Sequence, residues 1–145
     1  MSSDTATATV IGIGQAIADK IGTIEGAPSA ISFDLVPTYE LDQVRTLQVV
    51  VGPQAYIRSN EGAATRGDPD KIVKINVAVL QKCGDKSEIP ALLLLTEAIA
   101  DGIDRQVLGD GLVLSVEFDP IYDADVFRRM KVFIAVCTAT VKVLS

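Results

Sequence analysis

The stretch that most limits what this chain can fold into is Lys71 to Gln81, Lys-Ile-Val-Lys-Ile-Asn-Val-Ala-Val-Leu-Gln. Val73, Ile75, Val77 and Val79 fall on one side of an extended backbone. Ile72, Lys74, Asn76, Ala78 and Leu80 fall on the other. A period of two with one uniformly β-branched side predicts a strand whose apolar face lies on a core. The rest of the chain must then supply strands to pair with it and apolar surface to cover it.

The flanking segments do both. Val10, Ile13, Ile17, Ile21 and Ile24 recur at three- and four-residue steps and predict an amphipathic helix over 8–22. Glu25 to Pro28 stops it. Gly12 and Gly14 within it are read as small residues that allow close packing. A dinucleotide loop would need a preceding strand, and Ile17 stands where its third glycine belongs. Strands are predicted over 30–36 and 46–51, the second punctuated by Gly52-Pro53 with Gln54 to Arg58 continuing extended.

Residues 59–70 are polar, with Asn60, Gly62, Gly67 and Pro69, and predict an exposed hairpin arm or loop. Its expected use is contact with another protein. The Arg66-Gly67-Asp68 tripeptide is read as a chance match. A second helix is predicted over 88–108. Ser87 would be its N-cap, Pro90 would sit in its first turn, and Gly109 would be its C′ residue. Its stripe of Ile89, Leu92, Leu93, Thr96, Ile99, Ile103 and Val107 is widened by Leu94 and Leu95. That width predicts burial between two surfaces, within the subunit or at a neighbour.

Strands over 112–118 and 131–144 close the chain as an antiparallel pair. In the first, Leu112, Leu114, Val116 and Phe118 should share a face. In the second, Phe133, Ala135, Cys137, Ala139, Val141 and Val143 should do so. Residues 126–130 are read as a bridge between them. The expected fold class is α+β, an antiparallel or mixed β-sheet of about five strands packed against two main helices. At 145 residues it is expected to be one domain, 1–145. That length can bury a core without disulfide or metal staples. With no Trp and few aromatics, the core must be mostly Ile, Val, Leu and Ala.

Composition also narrows function. There is no His, which removes the commonest general base and metal ligand. Cys83 and Cys137 are too far apart for a zinc-ligand spacing, and Cys137 is expected to be a buried, inert thiol in a reducing compartment. Asp119, Asp123 and Asp125 lack the spacing, central glycine and terminal glutamate of a calcium loop, so a solvated acidic turn is expected. No nucleophile elbow or Walker loop occurs. The net charge of −6 disfavours tight binding to a phosphate backbone. No basic residue precedes the apolar run over 6–18, and Leu92 to Leu95 is too short to span a bilayer. Neither a signal peptide nor membrane insertion is expected. The residues thus predict no catalytic apparatus, no cofactor and no metal.

The order of elements resembles the small tail-terminator, or tail-completion, proteins of tailed bacteriophages. It is carried by the helix from Ala8 to Gly22, by Ile31-Ser32-Phe33-Asp34-Leu35-Val36-Pro37 and by Leu47-Gln48-Val49-Val50-Val51-Gly52-Pro53. The polar arm with Arg58 and Arg66, the Ile72 to Leu80 strand, the Ile89 to Leu108 helix and the closing strand pair complete it. The resemblance implies a structural, non-enzymatic virion protein, made in the host cytoplasm. Its subunits would form a ring, usually a hexamer, on the end of the tail tube. It would contact itself, the tail tube protein and a neck or head-completion protein. DNA would pass through a channel lined partly by carboxylates. Arg58, Asn60, Glu61, Arg66, Asp68 and Asp70 of the arm, with Leu94 and Leu95 of the second helix, are then the candidate protein–protein interface. A small-molecule-binding or enzymatic α+β domain, and another neck or head-completion protein, are the alternatives.

Overall fold

The computed structural model describes residues 8–28, 30–35, 47–59, 70–82, 86–118 and 124–144. In chain order the elements are α1 (Thr9–Ile21), β1 (Ile31–Phe33), β2 (Gln48–Ser59), β3 (Asp70–Lys82), α2 (Ile89–Ile103), β4 (Val107–Leu108), β5 (Gly111–Phe118), α3 (Ala124–Met130) and β6 (Val132–Val143). The class is α+β. The six strands form one mixed sheet in the order β1-β2-β3-β6-β5-β4. Only β1 runs parallel to its neighbour, β2.

β3 lies inside the sheet, between β2 and β6, and pairs antiparallel with both over nearly its whole length. Val73, Ile75, Val77 and Val79 are fully buried, as their alternation requires. The matching face of β6, from Phe133 to Val141 at alternate residues, is buried with them. Ile13, Ile17 and Ile21 of α1, Leu92, Ile99 and Ile103 of α2, and Phe127 of α3 join the same apolar cluster. The helices therefore cover one face of the sheet. On the opposite face, Ala78 and Leu80 pack with Val50, Ile134 and Val136. That face then turns polar at Asn76 and Thr138, cross-strand partners whose side chains are joined by a 2.9 Å hydrogen bond from the Thr138 hydroxyl to Asn76 Oδ1.

Close packing explains one glycine of α1. A Cβ on Gly14 would stand 2.0 Å from the Phe33 ring, so the helix reaches β1 only because that side chain is missing. Gly12 has no such neighbour.

Four expectations need correction. α2 ends at Ile103, not near Leu108, and Glu88 rather than Ser87 is its N-cap, after a 3₁₀ turn over Lys86–Glu88. Val107 and Leu108 instead form β4, which hairpins onto β5 through Gly109-Asp110. Gly109 takes a φ of +62°, the left-handed geometry of a two-residue hairpin turn rather than a helix stop. In β5, a bulge between Val113 and Ser115 reverses the alternation. Gly111 and Val113 are buried and Leu114 is exposed, so Leu112 and Leu114 do not share a face with Val116 and Phe118. Finally, residues 124–130 form a helix. It closes on Lys131, whose φ is +57° and whose N–H donates to the Phe127 carbonyl, a left-handed cap.

Candidate assembly surfaces

β2 crosses the molecule and has two unlike ends. Its first half pairs with β1 on one side and β3 on the other. β1 stops opposite Val51, and a bulge between Pro53 and Ala55 follows. Pro53 is tolerated here because it lies beyond β1, where no neighbour on that side needs its missing N–H. From there to Ser59 the strand pairs with β3 alone, down to Ser59 opposite Asp70. β2 and β3 are therefore paired antiparallel down to Ser59 and Asp70, beyond the end of β1, and the arm or loop expected over 59–70 lies almost wholly outside the described residues. Tyr56 (42% exposed) and Ile57 (46% exposed) stand on opposite faces of β2. Arg58 is exposed and faces Lys71 across the ladder. Two like charges opposite each other destabilise a strand pair. Among the described residues neither has a carboxylate partner.

Of the sequence-derived interface residues, Arg58 is thus placed at the base of this arm, and Asp70 is placed through its backbone pairing. Asn60, Glu61, Arg66 and Asp68 lie outside the described residues. Tyr56 and Ile57 were not singled out by sequence reasoning. The signal was available in the extended, apolar continuation past Gly52-Pro53.

The second surface is at the other end of β2. A groove of about 590 Å³ is lined by Ile24, Glu25 and Gly26 of the α1–β1 connection, by Leu47 at the start of β2, and by Ala91, Leu94, Leu95 and Ala98 of α2. Its floor follows from local structure. The Ala27 N–H donates to the Ile24 carbonyl, and Gly26 at φ +87° supplies the positive φ that the third position of such a turn needs. Leu94 is 68% exposed, whereas Leu95 is half-buried. The surplus width read from the α2 stripe is therefore real at Leu94 and partly absorbed by the subunit at Leu95. The exposed side of α2 carries Glu97 and Asp101, and the helix has no basic residue. With Glu25, these give an apolar groove with an acidic border.

No catalytic constellation accompanies these surfaces among the described residues. Cys137 is buried between β3 and β5, and burial pushes its thiol up to about 12. A thiol held neutral in this way is neither a nucleophile nor a metal ligand at neutral pH. Cys83 lies outside the described residues, as do Asp119 and Asp123 of the acidic turn. Asp125 pairs with Arg128 on the solvent side of α3, where both are largely exposed and the pair adds little stability. No helix among the described residues is long and apolar enough to cross a membrane.

No family model matches the sequence, and no curated protein matches it. Solved structures do match. One is a chain from the virion of a native gene transfer agent particle, with a TM-score of 0.60 at 14% identity over 94% of this chain and 99% of that one. Another is the sheath/tube terminator of an extracellular contractile injection system in its extended state. It has a TM-score of 0.41 at 14% identity and covers 96% of this chain but 58% of that one. The fold organised on β3, a mixed sheet with helices on one face, is thus similar to that of a chain from a gene transfer agent virion, matched over nearly the full length of both.

Proposed function

We propose that this chain is a structural subunit of a phage-like particle, and specifically a tail terminator. Copies of it form a ring that caps the tail tube and meets the neck or head. The observation that carries this reading is the end-to-end agreement of fold with a chain of a gene transfer agent virion. The surfaces support it in kind. Apolar side chains stand exposed on the stretch of β2 beyond β1 and beside a shallow groove, which suits a protein that associates. Polar groups do not converge in that groove as a small-molecule site would require. The role needs no catalytic group and no cofactor. It treats residues 1–145 as one domain, and the arm residues Asn60, Glu61, Arg66, Asp68 and Asp70 as contacts to a neighbour or to the tube. The net charge of −6 suits a channel through which DNA slides, because like charges repel.

The test is solution mass by light scattering, with negative-stain images of the protein alone and mixed with tail tubes. Closed rings, or caps at tube ends that halt growth, are the expected result. A monomer that leaves tubes uncapped and growing would overturn the reading.

A further inference from the structure

The acidic-bordered groove and the basic end of the hairpin arm lie at opposite ends of one strand. Leu47 lines the groove, and Tyr56 and Arg58 stand about ten residues further along β2. At roughly 3.3 Å per residue this is on the order of 30 Å. The rigid ladder with β3 holds them apart, so a subunit cannot fill its own groove with its own arm.

Their chemistries match. Tyr56, Arg58 and Lys71 share the helix-side face of the arm, because Tyr56 pairs with Val73 and Arg58 with Lys71 in the register. That face offers one half-exposed aromatic ring flanked by two cations. The groove offers apolar walls at Leu94 and Leu95, with Glu25 in its lining and Glu97 one helical turn beyond Leu94. The Arg58–Lys71 repulsion, without a carboxylate partner among the described residues, would be relieved by that border.

We infer that the α2 groove of one subunit receives the Tyr56–Arg58 face of the arm of a second copy of this chain. Two different patches on one molecule that fit each other make a head-to-tail contact, which propagates and closes into a ring when the rotation allows. The inference rests on the ring reading above and deepens it by naming the two surfaces.

Cysteine cross-linking tests it in a Cys83→Ser background, with Cys137 left in the core. Tyr56→Cys protein mixed with Leu94→Cys protein should give disulfide-linked dimers on mild oxidation. The double variant should give a ladder of multiples, and each single variant alone should stay uncross-linked. Arg58→Glu and Glu97→Lys should each weaken self-association about tenfold, and mixing the two variant proteins should recover part of that loss. If the double variant forms rings or tube caps but no disulfide joins its two introduced thiols, this docking is overturned and the ring reading stands. Cross-linking of Leu94→Cys to itself would overturn it in favour of a symmetric α2–α2 contact. A protein that stays monomeric alone and on tubes would remove both readings.

Discussion

The two halves of β2 both alternate, with the parity switched by the bulge between Pro53 and Ala55, and they meet opposite fates. Val49 and Val51 are completely buried, between α1 above and β1 and β3 beside them. Tyr56 and Ile57, a few residues on, stand nearly half exposed where β2 has lost β1 and has become the edge of the sheet, paired with β3 alone. Alternation states which way a side chain points. Whether anything lies over it depends on how far the neighbouring elements extend, and β1 ends opposite Val51. Burial along a strand is thus set by the shortest of its covers rather than by its own pattern.

The largest expected effect comes from placing a carboxylate at each end. Val51→Asp buries an unpaired charge in the core and should cost at least about 4 kcal/mol, most of the stability of a domain at the low end of the usual range of about 5–15 kcal/mol. Ile57→Asp should change stability by no more than about 0.5 kcal/mol. Urea denaturation of the pair decides it, and equal losses would show the arm to be core.

A smaller effect is expected at the close approach of α1 to β1. Gly14→Ala would gain roughly 1 kcal/mol of helix propensity. It also drives a Cβ into the Phe33 ring, an overpacking that costs about 1–3 kcal/mol. Net destabilisation of about 1 kcal/mol is expected from these two terms, read by the same urea titration. A gain would mean that the short edge strand gives way, and that the well-covered half of β2 is less rigidly covered than its burial indicates.

The smallest effect at neutral pH is at Cys137, but it grows with alkali. The folded state holds this thiol neutral up to about 12, against 9.0 for a free one. The stabilisation is therefore complete below pH 9 and is lost as pH rises from there towards 12, by about 2 kcal/mol near pH 10.5. Wild-type stability should fall more steeply across that window than that of Cys137→Ala. Parallel curves would show that water reaches the sheet face beneath the helices.

Much of this was legible in the residues. β3 and β6 carry long, clean alternations because they are covered over nearly their whole length, and α1 shows its stripe because it packs on one side only. The errors arose where a local pattern had two physical outcomes. Val107 extends the α2 stripe numerically, yet Asp104 turns extended after Ile103 and Arg105 follows at a φ of +61°, so the helix ends before it. The apolar run in β5 reads as one face until an extra residue at Leu114 turns the strand over. Residues 124–130 are too short to show a helical period. At the candidate surface, Leu94 was recognisable as surplus apolar width on a helix. The groove beside it was not, since it exists only where three segments distant in sequence meet.

The register of β6 carries a consequence for how the molecule comes into being. Its partner Asn76 lies 62 residues from Thr138, and between them the chain lays down α2, β4, β5 and α3. Translation therefore delivers both flanking strands before the one that joins them. Until residues 132–143 leave the ribosome, β3 and β5 each offer an open, apolar-backed edge, and the sheet is two unfinished pieces. Substitutions that slow the arrival or pairing of that strand will lower the yield of soluble protein more than their effect on the finished fold accounts for.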